Sequence, residues 1–210
     1  MNMKSEVLLP SRAEAEELLI WGNEQNHGPW IDHCRTAGRA AETIAYKSGL
    51  DTERAYISGL LHDIGYHEYR NGKGKRTHIY AGYEFMMKKG YKDIAGICLS
   101  HSFPYPYQNI NFSYNGDKIG TDEEIAIITA FLSKAIYNDY DRLVQLCDAL
   151  CTTQITIMEK RFIDVTRRHG FKDFTIEKWG AYFELKAYFD KLCGMNIYNL
   201  FYDEIKASIF

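Results

Sequence analysis

The chain of 210 residues is 46% hydrophobic and carries 25 basic against 28 acidic side chains, a formal charge of -3. That length and composition predict one globular domain over residues 1–210 with a substantial core. The mild negative charge leaves no footprint for general nucleic-acid binding, no run reaches the roughly 18 apolar residues that cross a bilayer, and the opening MNMKSEVLLPSRAEAEELL lacks the apolar region of a secretory signal, which predicts a cytoplasmic protein with no membrane partner.

Ser11 followed by Glu14 is a capping-box pattern and predicts a helix over residues 11–25 with Leu18, Leu19 and Trp21 turned inward. HGPW interrupts it, and a second helical pattern covers residues 31–48, with Gly49 where a left-handed C-cap would sit. Asp51 or Thr52 caps a third helix, whose apolar positions Ala55, Ile57, Leu60 and Leu61 run into His62 and Asp63 and which Gly65 stops. A polar, basic loop occupies residues 66–76. Residues 77–89 read as a helix ended by Gly90, and KDIAGICLSHS as a shorter one. Residues 103–120 have no helical period and read as either a long functional loop or a small hairpin. Thr121 with Glu124 is another capping-box pattern, opening an apolar helix to residue 137, and residues 139–151, 155–169, 176–193 and 198–207 complete the helices. No apolar heptad is sustained and nothing demands a parallel sheet, so the predicted class is all-α, compact and orthogonally packed. The five cysteines form no CxxC pair and read as buried hydrophobes of a reducing compartment. Cys147 and Cys151, at i and i+4, are open to core packing or to a metal.

Potential metal ligands stand at or near helix ends, separated by whole elements: His33, His62 with Asp63, His78, His101, and Asp148 within LVQLCDALC. Imidazole and carboxylate together suit Fe, Mn, Zn, Ni or Co in a catalytic site, whereas a structural zinc site would call for sulfur. On a regular helix His62 and Asp63 project about 100° apart, so both reach an ion only over the groove between them, with other helices completing the shell. A carboxylate such as Asp148 in an apolar helix is costly to bury without a cation. Lys73, Lys75 and Arg76 precede His78, placed either to hold a phosphate or to solvate the loop, and of the three Arg76 is nearest the proposed metal. Tyr66, Tyr69, Tyr105 and Tyr107 can stack a ring or simply pack. His27 and His67 read as surface residues, with cleft lining as the alternative, while Arg167, Arg168 and His169 are accounted for by a helix C-terminus.

The order His33, then His62-Asp63-Ile64-Gly65, then Asp148 resembles the H…HD…D signature of the HD-domain superfamily of metal-dependent phosphohydrolases in its HDIG form, across residues 30–150. The resemblance implies an HD-domain-like helical fold with additional C-terminal helices. It implies that His33, His62, Asp63 and Asp148 hold one divalent transition metal. His78 and His101 match, in order and context, the two histidines that add a second ion in dinuclear members, with Asp63 bridging. His62 and Asp63 would then be the catalytic centre, and Lys75 and Arg76 remain the candidate substrate cations. The implied activity is hydrolysis of a small phosphorylated substrate such as a nucleotide, a dinucleotide polyphosphate or a related phosphate ester. Where related sequences carry a basic residue three positions after the first histidine and a lysine after the final aspartate, this chain has Thr36 and Ala149, which leaves the substrate open. A dinuclear-iron oxygenase of the same superfamily uses the same ligands, and a non-catalytic nucleotide-sensing module keeps the same fold. Each of these readings, the phosphohydrolase included, is compatible with a homo-oligomer.

Overall fold

The computed structural model describes residues 8–68, 76–104, 113–114, 117–118, 120–172 and 174–209. Side-chain caps set most helix starts. α1 (Arg12–Gln25) opens on a complete capping box, in which the Glu14 amide donates to the Ser11 hydroxyl and the Ser11 amide donates to the Glu14 carboxylate at 2.8 Å. α2 (Trp30–Ser48) begins one residue earlier than its apolar pattern, directly after Pro29, and ends on Gly49 at φ 77°. Asp51 caps α3 (Thr52–Leu61) by accepting from the Arg54 amide. α4 (His78–Lys89) and α5 (Lys92–Ser100) follow, and the two-residue strands β1 (Ser113–Tyr114) and β2 (Asp117–Lys118) pair as a small antiparallel hairpin.

α6 (Asp122–Leu132) ends short of residue 137 because the Ser133 and Lys134 amides close its last turn on Thr129 and Phe131 carbonyls. Only half of its expected capping box forms. The Thr121 hydroxyl accepts from the Glu124 amide, but the buried Glu124 carboxylate turns instead to Arg76 and the Thr77 amide. α7 (Asp139–Leu150) has a complete box from Asn138 and Asp141. α8 (Met158–His169) starts later than residue 155, since Ile155 pairs with Cys151 in an isolated antiparallel bridge. α9 (Thr175–Cys193), a 3-10 turn (Ile197–Phe201) and α10 (Tyr202–Ile209) complete the order. The class is all-α. No described helix is long and apolar enough to cross a membrane.

α2 belongs to both large apolar cores. Ala41 and Ile44 pack with Leu146, Leu150 and Phe189 in one, and Cys34 packs with Leu19, Leu60, Leu61 and Ile94 in the other. All five cysteine thiols are buried and none is in a disulfide, and Cys147 and Cys151 sit in the first core. The crossing of α2 on α3 depends on two glycines. A Cβ on Gly59 would lie 2.8 Å from Gly38 Cα and 2.9 Å from the Ala37 carbonyl oxygen, so the backbones touch where side chains would normally separate them. That contact brings His33, before Gly38 on α2, to His62, just beyond Gly59 at the end of α3.

Gly59→Ala should overpack this crossing and lower stability by about 1–3 kcal/mol, measured as a shift in urea midpoint at unchanged slope.

Candidate metal centre

Two of the imidazoles are aimed by their own helix ends. His62 follows the last residue of α3 and its Nδ1–H donates to the Gly59 carbonyl at 2.7 Å; His101 follows α5 and its Nδ1–H donates to the Cys98 carbonyl at 2.9 Å. A carbonyl only accepts, so the proton must sit on Nδ1, and each Nε2 presents a lone pair inward. His33 Nε2 lies 3.2 Å from His62 Nε2 and 3.2 Å from Asp148 Oδ1.

Asp63 is where the local structure departs from a regular helix continuing to Gly65. α3 stops at Leu61, a 3-10 turn covers Ile64–His67, and Asp63 between them has φ -106° and ψ 14°, the sparsely populated bridge region. This break, rather than a helical groove, sets His62 and Asp63 toward one point. Asp63 Oδ2 is 3.6 Å from His62 Nε2 and 3.8 Å from His33 Nε2. Its other oxygen, Oδ1, is 3.4 Å from His78 Nε2 and 3.2 Å from His101 Nε2. One carboxylate thus joins two groups of three donors, His33 with His62 and His78 with His101.

These donors fit a divalent cation. The lone pair of His62 faces His33 Nε2 at 3.2 Å, and the lone pair of His101 faces Asp63 Oδ1, a buried oxygen with no hydrogen-bond partner. Acceptor against acceptor at such distances is repulsive until positive charge lies between. In the metal-free chain protons do part of this: despite burial, Asp148 draws the His33 pKa up and Asp63 draws that of His101 up. Burial pushes His62 and His78 down to about 4. Both carboxylates, although burial opposes it, are held below the usual range by the surrounding histidines.

Two contacts hold the second group in place. A Cβ on Gly65 would lie 1.8 Å from the His78 carbonyl oxygen and 2.4 Å from the Gly82 nitrogen, so only glycine lets the start of α4 seat on the turn after Asp63. The His78 ring also stacks on Tyr66, with centroids 4.4 Å apart. On α7, one turn before Asp148, Gln145 Nε2 donates to the Ser100 and Phe103 carbonyls at 3.1 and 3.0 Å, bracketing His101.

Other candidates fall elsewhere. The Arg76 guanidinium is taken up by Glu68, Glu84 and Glu124 at 2.8, 3.1 and 2.9 Å, a network that anchors the start of α4. Lys73, Lys75, Tyr69, Tyr105, Tyr107 and the His169 side chain lie outside the described residues. His67 is only 8% exposed, contrary to the surface reading: its Nδ1–H donates to the Ile64 carbonyl and its ring packs against both Trp21 and Phe85, which stack on each other, because the 3-10 turn carries it inward. His27 is exposed and lines the cavity over the metal centre.

That cavity, about 590 Å³, is lined by His33, Asp63, His78, His101 and Asp148. It shares Tyr66, Asp148, Arg161 and Arg168 with a second cavity of about 730 Å³ between α8 and α9. Sequence reasoning passed over Arg161 and Lys178 and assigned Arg168 to a helix end. A signal was present: Arg161, Val165 and Arg168 fall on one helical face, and all three line the second cavity. Lys178 lines it from α9, its pKa lowered by burial while Asp148 opposes that shift. A family model described as HD domain matches residues 30–153, and no curated protein or solved structure matches the chain.

Asp63→Asn should abolish metal retention at both donor groups, whereas His101→Ala should leave the His33 and His62 group loaded, halving the metal content found by elemental analysis. Metal content untouched by His101→Ala would refute a dinuclear centre. Gln145→Ala should weaken retention of the His101-bound ion by about 10–100-fold, the usual scale for losing a ligand's outer support, read by competition with a chelator.

Proposed function

The chain belongs to the HD-domain family, and on that premise we propose that it is a metal-dependent phosphohydrolase acting on a small phosphorylated molecule, a nucleotide, dinucleotide polyphosphate or related phosphate ester. The observation that carries this reading is Asp63 dividing its two oxygens between two histidine pairs, beneath a cavity that Arg161 and Arg168 also line. His33, His62 and Asp148 would hold one ion, His78 and His101 the other, and Asp63 both. Fe, Mn, Ni, Co or Zn fits this nitrogen and oxygen donor set. Divalent ions bound there supply a nucleophilic water near neutral pH and charge against the phosphoryl oxygens.

The chain's own contribution is orientation and field. Helix-end carbonyls fix the tautomers of His62 and His101, so their Nε2 atoms stay available as donors. Arg161 and Arg168 bring positive charge toward oxygens on which negative charge accumulates as the ester breaks. In the reaction, the bond from phosphorus to the bridging oxygen breaks with its electron pair on that oxygen. Water's oxygen bonds to phosphorus, and its released proton passes to the leaving group or solvent.

Protein of measured metal content, offered a panel of nucleotides and phosphate esters, should release phosphate. Asp148→Ala should lower kcat by at least about 100-fold, since removing a ligand costs no less than removing a ligand's outer support. Oxygen uptake by iron-loaded protein with no phosphate released from any member of the panel would overturn hydrolysis in favour of oxidation.

A further inference from the structure

The second cavity lies mostly on chain beyond the stretch that matches the family. Apart from Tyr66, Asp148 and Ala149, all of its lining comes from residues 161–182, on α8, α9 and their connection. Four cationic side chains line it, Arg161, Arg168, Lys172 and Lys178, against one carboxylate, Asp148. Among the described residues none of the four is in an ion pair, whereas Arg12, Arg39, Arg54 and Arg76 each have a carboxylate partner. Cations that neighbouring acids leave uncompensated around a concave space make an anion site.

The same space has an aromatic wall. Trp179 stacks on Phe162 with centroids 5.5 Å apart and planes 9° from parallel, and Phe171 meets Trp179 edge-on at 6.2 Å. Phe171 is 61% exposed and Phe174 39%. Apolar rings left open to a cavity, with one indole held rigid from behind, form a surface on which a planar ring gains contact without new side-chain ordering. Arg161 and Arg168 stand at the boundary, lining this cavity and the metal cavity together.

We propose that the cavity between α8 and α9 is the leaving-group subsite, selecting substrates whose scissile phosphoryl group is joined through at least one further phosphate to a planar ring. This rests on the phosphohydrolase reading of the metal centre for its direction. Arg161 and Arg168 hold the non-scissile phosphate, and the Trp179 face receives the ring. The cleaved bond is the one between the phosphorus at the metal centre and the oxygen bridging to the next phosphate, which departs with the electron pair. That departing phosphate stays paired with the guanidinium groups.

Three probes separate the parts: adenosine triphosphate has phosphates and ring, inorganic tripolyphosphate has phosphates alone, and p-nitrophenyl phosphate has neither a second phosphate nor a large ring. Arg161→Gln with Arg168→Gln should raise KM about tenfold or more for the first two and raise it several-fold less for p-nitrophenyl phosphate, which offers the guanidinium groups no second phosphate. Trp179→Leu should raise KM about fivefold for adenosine triphosphate only. Metal content and melting temperature of each variant, unchanged from wild type, exclude misfolding. A uniform effect on all three probes, or none, overturns the subsite. Calorimetric binding of adenosine triphosphate to the metal-loaded protein gives a readout independent of turnover. Binding lost in these variants, with no hydrolysis by wild type, would uphold the subsite and reject the phosphohydrolase reading, whereas hydrolysis indifferent to the variants would do the reverse.

Discussion

The constraint on which this molecule turns is a set of ring nitrogens and carboxylate oxygens pointed at one another. His33, His62, His78 and His101 direct Nε2 atoms to within 3.2 to 3.8 Å of an oxygen of Asp63, and two of those imidazoles cannot rotate their protons inward because carbonyls hold Nδ1. Such an arrangement is unfavourable without a cation. The fold is organised to hold it nonetheless. α2, the break after α3, the first residue of α4, the residue after α5 and the last turn of α7 each deliver one part of the cluster.

Holding the cluster requires stiffness in the backbone rather than in the side chains. The Gly38 and Gly59 contact fixes the crossing of α2 and α3, and the Gly65 contact fixes α4 against the turn that follows Asp63. At both places the absence of a side chain permits a backbone approach that any Cβ would prevent. Arg76 serves the same end by charge, tying the start of α4 to three carboxylates from three elements. An arginine near a ligand in sequence is in this case part of the scaffold. The cations that face the cavity come from α8, α9 and their connection, whose residues lie far along the chain.

Much of the architecture was legible because local chemistry decides it. Ser11, Asp51, Thr77 and Thr121 cap the helices they precede, and Gly49 and Gly90 end theirs at positive φ. The candidate ligands were legible as types out of place, a histidine or aspartate breaking an apolar run. What escaped depends on partners distant in sequence. The helix break at Asp63 accompanies close packing of the following turn on α4, His67 is drawn inward against the Trp21 and Phe85 stack, and Glu124 abandons its own amide box for Arg76. Arg161 and Arg168 were hidden differently, since cations two turns apart on an amphipathic helix look like any solvated face until a second helix closes a cavity over them.

α7 carries both Gln145 and Asp148, one turn apart on the same helix. Asp148 reaches the His33 group, while Gln145 grips the chain on either side of His101. A single rigid rod therefore touches both halves of the centre. Were ions to occupy both donor groups, α7 would link them, since Asp148 faces one group and Gln145 holds the backbone that carries His101 of the other. By linkage, any influence of one such ion on the hold of the other would be mutual.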